Sequence, residues 1–211
     1  MNIFDISVGI NSDLPVWPGD PQVRIESAGS IKKGDTCNLS YLHISAHSGT
    51  HIDAPLHFID EGGSIGSIAL ERLMGRVQVV EVPPGTQRIN AAIIADLPIQ
   101  PGTERILFKT ENSVLWKSGQ PFFYAYTALD ASGADSLIQL GIQLVGIDYL
   151  SISIFDEVIP PHLLLLSNGI IILEGCDLSN VQPGLYTLIC LPLKVNEIEG
   201  APVRAILIQD A

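Results

Sequence analysis

His47-Ser-Gly-Thr-His51-Ile-Asp53-Ala-Pro-Leu-His57 is the stretch on which the reading of this chain turns. Three of the five histidines of the whole sequence fall within it, with a carboxylate among them. A strand end with polar residues facing solvent would account for any one of these histidines alone. It does not account for the cluster, because imidazole and carboxylate are the ligands that borderline divalent ions prefer. Positions 47, 51, 53 and 57 are all odd, so an extended chain would put them on one face. A straight strand rises about 3.3 Å per residue, which would spread such a segment over roughly 33 Å. The chain must therefore bend, and Gly49 and Pro55 stand where bends would gather the side chains. The reading is a strand entering a tight loop that projects two imidazoles and a carboxylate toward one ion. A helix carrying His47 and His51 one turn apart is disfavoured by the Ser-Gly-Thr between them.

Two imidazoles and one carboxylate leave a coordination position open, the catalytic rather than the closed structural pattern. A water there would ionise near neutral pH, at about 7 instead of 15.7. His57, two residues past Pro55, is placed to point back at the site and has the pKa class suited to moving protons.

Outward from this segment, short apolar runs recur between Gly and Pro, which favours many strands. Strands are expected near Phe4–Val8, Val23–Ser27, Asn38–Ala46, Arg76–Val82, Arg105–Thr110, Leu144–Ile147, Ile170–Glu174, Tyr186–Leu191 and Ala205–Ile208. Helical patterns cover Ser67–Met74, Asn90–Ala95, Ser132–Leu140 and His162–Ser167. The mixture describes an α/β fold, strand-rich with about four short helices.

Composition narrows the function classes. Of the 211 residues 46% are apolar and 16% charged, with a mean hydropathy of +0.33, which excludes disorder. Eleven basic against 23 acidic residues give a net charge of −12, the wrong balance for a phosphate backbone, so no nucleic-acid partner is expected. The most apolar stretches, Leu163–Leu166 and Ile170–Leu173, are interrupted by Ser167-Asn-Gly169 and are far shorter than a membrane span. No basic, then apolar, leader is visible at Met1–Asp5. Cys37, Cys176 and Cys190 have no CxxC spacing and read as free thiols, small core hydrophobes in a reducing compartment. A cytoplasmic protein without a membrane partner is expected.

The HxGTHxDxPxH pattern of residues 47–57 resembles the signature of the metal-dependent cyclase family, whose members include bacterial kynurenine formamidases (arylformamidases) and, as a relative, isatin hydrolase. The resemblance extends through Asp5-Ile-Ser, Pro15-Val-Trp17-Pro-Gly-Asp20, Gly146-Ile-Asp148, Ile172-Leu-Glu174-Gly, Leu191-Pro-Leu and Pro202-Val-Arg204-Ala, and so covers nearly the whole chain as one domain, 1–211. It implies a swivelling β/β/α fold. It further implies a first ion held by His47, His51 and Asp53, with Asp53 bridging to a second bound by His162 and Glu174 shared between them. Zinc is the first expectation for the ions and manganese the second. His57 would be the proton donor and acceptor and Trp17 part of an aromatic substrate pocket. His162 after Pro160-Pro161 is also readable as a helix-start histidine facing water, Glu174 as a strand-end carboxylate, and Trp17 as an apolar plug. A Glu closing the run Ile170–Leu173 would be costly to bury uncompensated, and an ion compensates it.

The activity implied is hydrolysis of a small aromatic amide, N-formylkynurenine to kynurenine and formate, by hydroxide generated on the ion, in a homodimer or larger homo-oligomer. The loop Tyr149–Pro161 is more apolar than in the kynurenine formamidases, which keeps a cyclic amide, imide or lactone as the alternative substrate. A non-catalytic binding protein is the reading from another class, opposed by the complete ligand set. Gly62-Gly-Ser64-Ile-Gly66 fits GxSxG formally, but no strand precedes it. His43 is assigned no catalytic task.

Overall fold

The computed structural model describes residues 1–119 and 122–209. Its strands are β1 (Asn2–Asp5), β2 (Arg24–Gly29), β3 (Leu39–His43), β4 (His51–Asp53), β5 (Met74–Glu81), β6 (Arg88–Ile89), β7 (Arg105–Lys109), β8 (Ala128–Leu129), β9 (Leu144–Ile147), β10 (Ile171–Glu174), β11 (Gly184–Pro192) and β12 (Gly200–Gln209); its α-helices are α1 (Ala91–Asp96), α2 (Ala131–Gln139) and α3 (Ile159–Ser167). Each of the nine expected strands has a counterpart within a few residues. The three-residue β4 was not anticipated, nor were the two-residue β6 and β8.

β5, β7, β9 and β10 run parallel, and β10 then pairs antiparallel with β4. The ten-residue β12 closes the sheet into a barrel. On one edge it pairs with β11 from Val203 to Ile208, and on the other it pairs with β4 through Gly200, Ala201 and Pro202. β1 extends the second edge beyond β4. Neighbouring side chains of one strand point to opposite faces, and here both faces are dry. Leu107, Leu144 and Leu173 pack inside the barrel, whereas Ile106, Phe108, Val145 and Ile172 pack outward against α2 and α3 through Leu137 and Leu165. Burial on both faces explains why these strands read as unbroken apolar runs rather than alternations.

α1 and α2 begin at Asn90 and Asp130, whose side chains accept from the backbone N–H three residues on, the usual cap. α3 starts three residues earlier than expected because Pro160 and Pro161 fit its first turn, where no N–H is required. The expected helix at Ser67–Met74 does not form. Two single 3₁₀ turns, Ile65–Ser67 and Leu70–Arg72, take its place, and Met74 already belongs to β5. Ile65 and Leu73 are both buried in the barrel, and the Ile65 N–H donates to Ile198 O at 2.9 Å. Tertiary anchoring at both ends overrides the helical pattern.

β2 and β3 form a separate hairpin whose residues are mostly exposed. His43 lies on it, 3.5 Å from Glu26. Cys176 and Cys190 are buried as expected, but Cys37 is exposed because it precedes this hairpin's second strand, away from either core. Among the described residues no helix is long and apolar enough to cross a membrane.

Candidate metal centre

Ile52 points into the barrel, so its neighbours His51 and Asp53 emerge on the opposite face. Register does the rest. In the β10–β4 ladder Glu174 lies directly across from His51 and Ile172 across from Asp53. Residues opposite one another in an antiparallel pair share a face, so three ligand-type side chains project together. His47 reaches the same point from the turn before β4, where Gly49 takes a positive φ of 67°. The order anticipated from sequence is thus reversed. The bend comes first, and the strand then carries His51 and Asp53. His162, on the first half of α3, arrives from the helix layer.

Two overlapping groups result, His47–His51–Asp53 and Asp53–His162–Glu174, each with its ligand-type atoms within 4.8 Å of one another. His51 Nε2 is 3.4 Å from Asp53 Oδ1 and 3.3 Å from Glu174 Oε2. His162 Nε2 is 3.2 Å from Glu174 Oε1 and 3.6 Å from Asp53 Oδ2. Asp53 is fully buried, and His51, His162 and Glu174 nearly so.

The far nitrogens of the His51 and His162 rings are held by backbone carbonyls and, for His162, by a serine hydroxyl as well. His51 Nδ1 meets Gly49 O at 2.9 Å, and His162 Nδ1 meets Val158 O and Ser153 Oγ, each at 2.8 Å. Protons placed on these Nδ1 atoms leave both Nε2 lone pairs facing the carboxylates. Glu174 Oε1 also accepts from the Ile152 N–H at 2.6 Å. His47 Nε2, His51 Nε2 and Asp53 Oδ2 are buried without a hydrogen-bond partner among the described residues. Orphaned polar atoms this deep are expensive, and a cation among them would satisfy all three. The donor set therefore fits a divalent ion.

Electrostatics agree. Burial works against a charge on His51, yet the Asp53 and Glu174 carboxylates outweigh it and lift its pKa to about 10. The same contest raises His162, through Glu174 first. Burial would raise Asp53 and Glu174, but the imidazoles around them pull both down, Asp53 well below its ordinary value and Glu174 below its own. A cluster that holds protons this tightly in the absence of metal is one built for positive charge.

His57 stands beside the cluster, its ring stacked on His47 at 3.9 Å between centroids. Burial pushes its pKa down, so it is neutral at pH 7. Phe58, which sequence reasoning passed over, stacks on His162 at 4.4 Å and 18°. These groups line a cavity of about 350 Å³ that also includes Trp17, Leu150, Ser151 and Val158. Trp17 is half-buried and braced by Phe155 at 5.1 Å and Phe122 at 5.3 Å. The loop between Tyr149 and Pro161 forms one wall of this cavity and orients His162 through Ser153 and Val158. Glu199, 3.6 Å from His47 Nε2, was also missed. It precedes β12 in a loop with no recognisable pattern, so no local signal marks it.

Asp148, part of the Gly146-Ile-Asp148 segment, is buried but belongs to a different network. Its carboxylate accepts from the Thr110 and Ser113 hydroxyls and both of their backbone N–H groups.

Comparison with known proteins places these features in company. Residues 4–153 match a family model described as "Putative cyclase". Among curated relatives, the rice (Oryza sativa subsp. japonica) cyclase-like protein 3 is 39% identical over 98% of this chain and 80% of its own length. The kynurenine formamidase of Salinibacter ruber is 36% identical over 98% of this chain and 97% of its own. Among solved structures, a potential metal-dependent hydrolase with cyclase activity superposes with a TM-score of 0.84 at 32% identity, covering 100% of this chain and 99% of that one. An isatin hydrolase bound to a product analogue shares the fold, with a TM-score of 0.83 at 18% identity over 99% of this chain and 92% of that one.

Proposed function

The chain belongs to the cyclase family, and on that footing we propose that it is a metal-dependent hydrolase whose substrate is a small aromatic amide, with N-formylkynurenine, cleaved to kynurenine and formate, as the first candidate. One observation carries this reading. Three buried polar atoms, on His47, His51 and Asp53, converge beside a cavity without hydrogen-bond partners among the described residues.

In this reading His47, His51 and Asp53 would hold one ion, and Asp53, His162 and Glu174 a second. Zinc and manganese both suit imidazole and carboxylate donors. When bound, a divalent ion would supply Lewis-acid positive charge and lower the pKa of water enough for it to react at neutral pH. The chain's own residues do the rest. Gly49 O, Ser153 and Val158 O fix the two imidazoles, so the ligands need not reorganise during turnover. Neutral His57 takes the proton of the attacking water and hands it to the departing nitrogen, without which an anilide leaves poorly. Trp17, steadied by Phe155 and Phe122, packs against the aryl group. The walls at Leu150, Val158 and Phe58 exclude bulk water.

A cyclic amide of the isatin type is the second reading, favoured by the apolar character of that Leu150–Val158 wall. Elemental analysis of the purified protein, followed by turnover of N-formylkynurenine and isatin side by side, separates the two. His51→Ala is expected to lose metal and turnover together. Full turnover by metal-free His51→Ala protein would overturn the mechanism.

A further inference from the structure

A single short turn lays a flat ring on one imidazole of each ligand group. Residues Pro55–His57 form one 3₁₀ turn, closed by the His57 N–H to Ala54 O at 2.9 Å and the Ile59 N–H to Pro55 O at 3.0 Å. His57 stacks on His47 at 3.9 Å, and the very next residue, Phe58, stacks on His162 at 4.4 Å with 18° between the planes. His47 belongs to one group of ligand-type atoms and His162 to the other, with Asp53 common to both. The turn has little room to move. The Leu56 N–H donates to Gly63 O at 3.1 Å, and a Cβ on Gly62 would meet Leu56 N and Pro55 C at 2.6 Å. Phe58 is half-buried and packs against the core that holds Leu165 and Leu166 of α3.

The polar contacts of the His162 ring to Val158 O and Ser153 Oγ both act at Nδ1. They fix where that atom sits but leave the ring able to tilt about it. Tilting would carry Nε2 away from Glu174 Oε1 and Asp53 Oδ2, now at 3.2 and 3.6 Å. An aromatic face stacked on the imidazole resists that motion. We infer that Phe58 is a positioning residue for the second ion, holding the His162 ring plane so that Nε2 stays aimed between Asp53 and Glu174. A ligand oriented beforehand binds its ion more tightly than one that must be oriented on binding. Phe58 therefore does more than wall the cavity, and the turn that seats His57 for proton transfer also steadies a ligand of the second ion. The inference rests on the reading of the cluster as a two-ion centre and deepens it.

The test measures zinc binding, not turnover, by calorimetric titration of the metal-free full chain. The wild type is expected to show two binding steps, and His162→Ala to lose one of them, which identifies the second site. Phe58→Leu keeps apolar bulk but has no flat face. It is expected to weaken that same step about tenfold while leaving the other within about twofold of wild type. Phe58→Met, flexible enough to fill the same space, is read in the same way, and Phe58→Tyr, which keeps the ring, should restore the step. A purely structural role would loosen both steps together, so that result overturns the proposal. A Phe58→Leu protein that binds zinc like the wild type also overturns it, as does a wild type with a single step. Failure of the amide-hydrolase reading has a different signature, in which neither N-formylkynurenine nor isatin is turned over while both zinc steps and the dependence of one on Phe58 persist.

Discussion

Glu174 lies directly across the β10–β4 ladder from His51, with Oε2 3.3 Å from Nε2. Strand pairing brings together a histidine and a glutamate 123 residues apart in sequence, and it fixes them on the face turned toward α3 and His162. The candidate metal centre is therefore a product of sheet register, and perturbing either partner should register in both metal content and ring protonation.

Glu174→Gln keeps the shape of the side chain and its contact with the Ile152 N–H, while removing the charge. Metal affinity is expected to fall by a factor of about ten to a hundred or more, with turnover falling alongside. Competition with a coloured chelator measures the first. A variant that binds metal like the wild type would show that Glu174 is a bystander.

Stability should respond to pH differently with and without metal. His51 in the metal-free protein is raised above its ordinary 6.5 to about 10. A base with a raised folded pKa stabilises fully below 6.5, and that contribution is lost as pH climbs toward 10. Asp53 and Glu174 are lowered, so their contribution is present above the usual carboxylate range and is lost as pH falls through their depressed values. Melting temperatures of the metal-free protein are thus expected to drop between pH 7 and 10. Bound metal requires the neutral imidazole, so the loaded protein should lose less over that interval. Parallel thermal melts across the series decide it.

Gly200 is hemmed in by the site. A Cβ there would sit 2.8 Å from His47 Cε1 and 2.8 Å from Ile52 O. Backbone cannot yield cheaply, so Gly200→Ala should cost about 1–3 kcal/mol of stability, as overpacking generally does, and displace the His47 ring. Reduced metal occupancy in protein that still melts cooperatively is the expected result, read by calorimetry and elemental analysis.

Ser153 shares His162 Nδ1 with the Val158 carbonyl. Ser153→Ala removes one of two orienting contacts, so a loss of about tenfold in metal affinity is expected, smaller than that of His162→Ala. Equal losses in the two variants would mean that the Val158 carbonyl holds the ring too weakly to matter.

Much of this was legible locally. Strands such as β7 and β9 announce themselves because residues 106–108 and 144–147 are apolar on both faces, a property that neighbours in sequence carry. The spacing of His47, His51, Asp53 and His57 is likewise local, since one bend and one short strand unite them. Ser67–Met74 misled for the opposite reason. Its helical pattern is real, but Ile65 and Leu73 are claimed by the barrel, and only contacts from elsewhere in the chain reveal that claim.

From its sequence alone this protein can be read as a strand-rich α/β chain carrying a His/Asp segment with metal chemistry, because side-chain period and ligand type are written residue by residue. Only the tertiary structure decides that β12 closes the barrel through β4, that Glu174 meets His51, and that Ser153, Glu199 and Phe58 surround the site. Those outcomes depend on which strand edges pair and in what register. Pairing is settled by the packing of the whole molecule, where a slip of one residue would turn His51 and Asp53 into the barrel and Ile52 out of it.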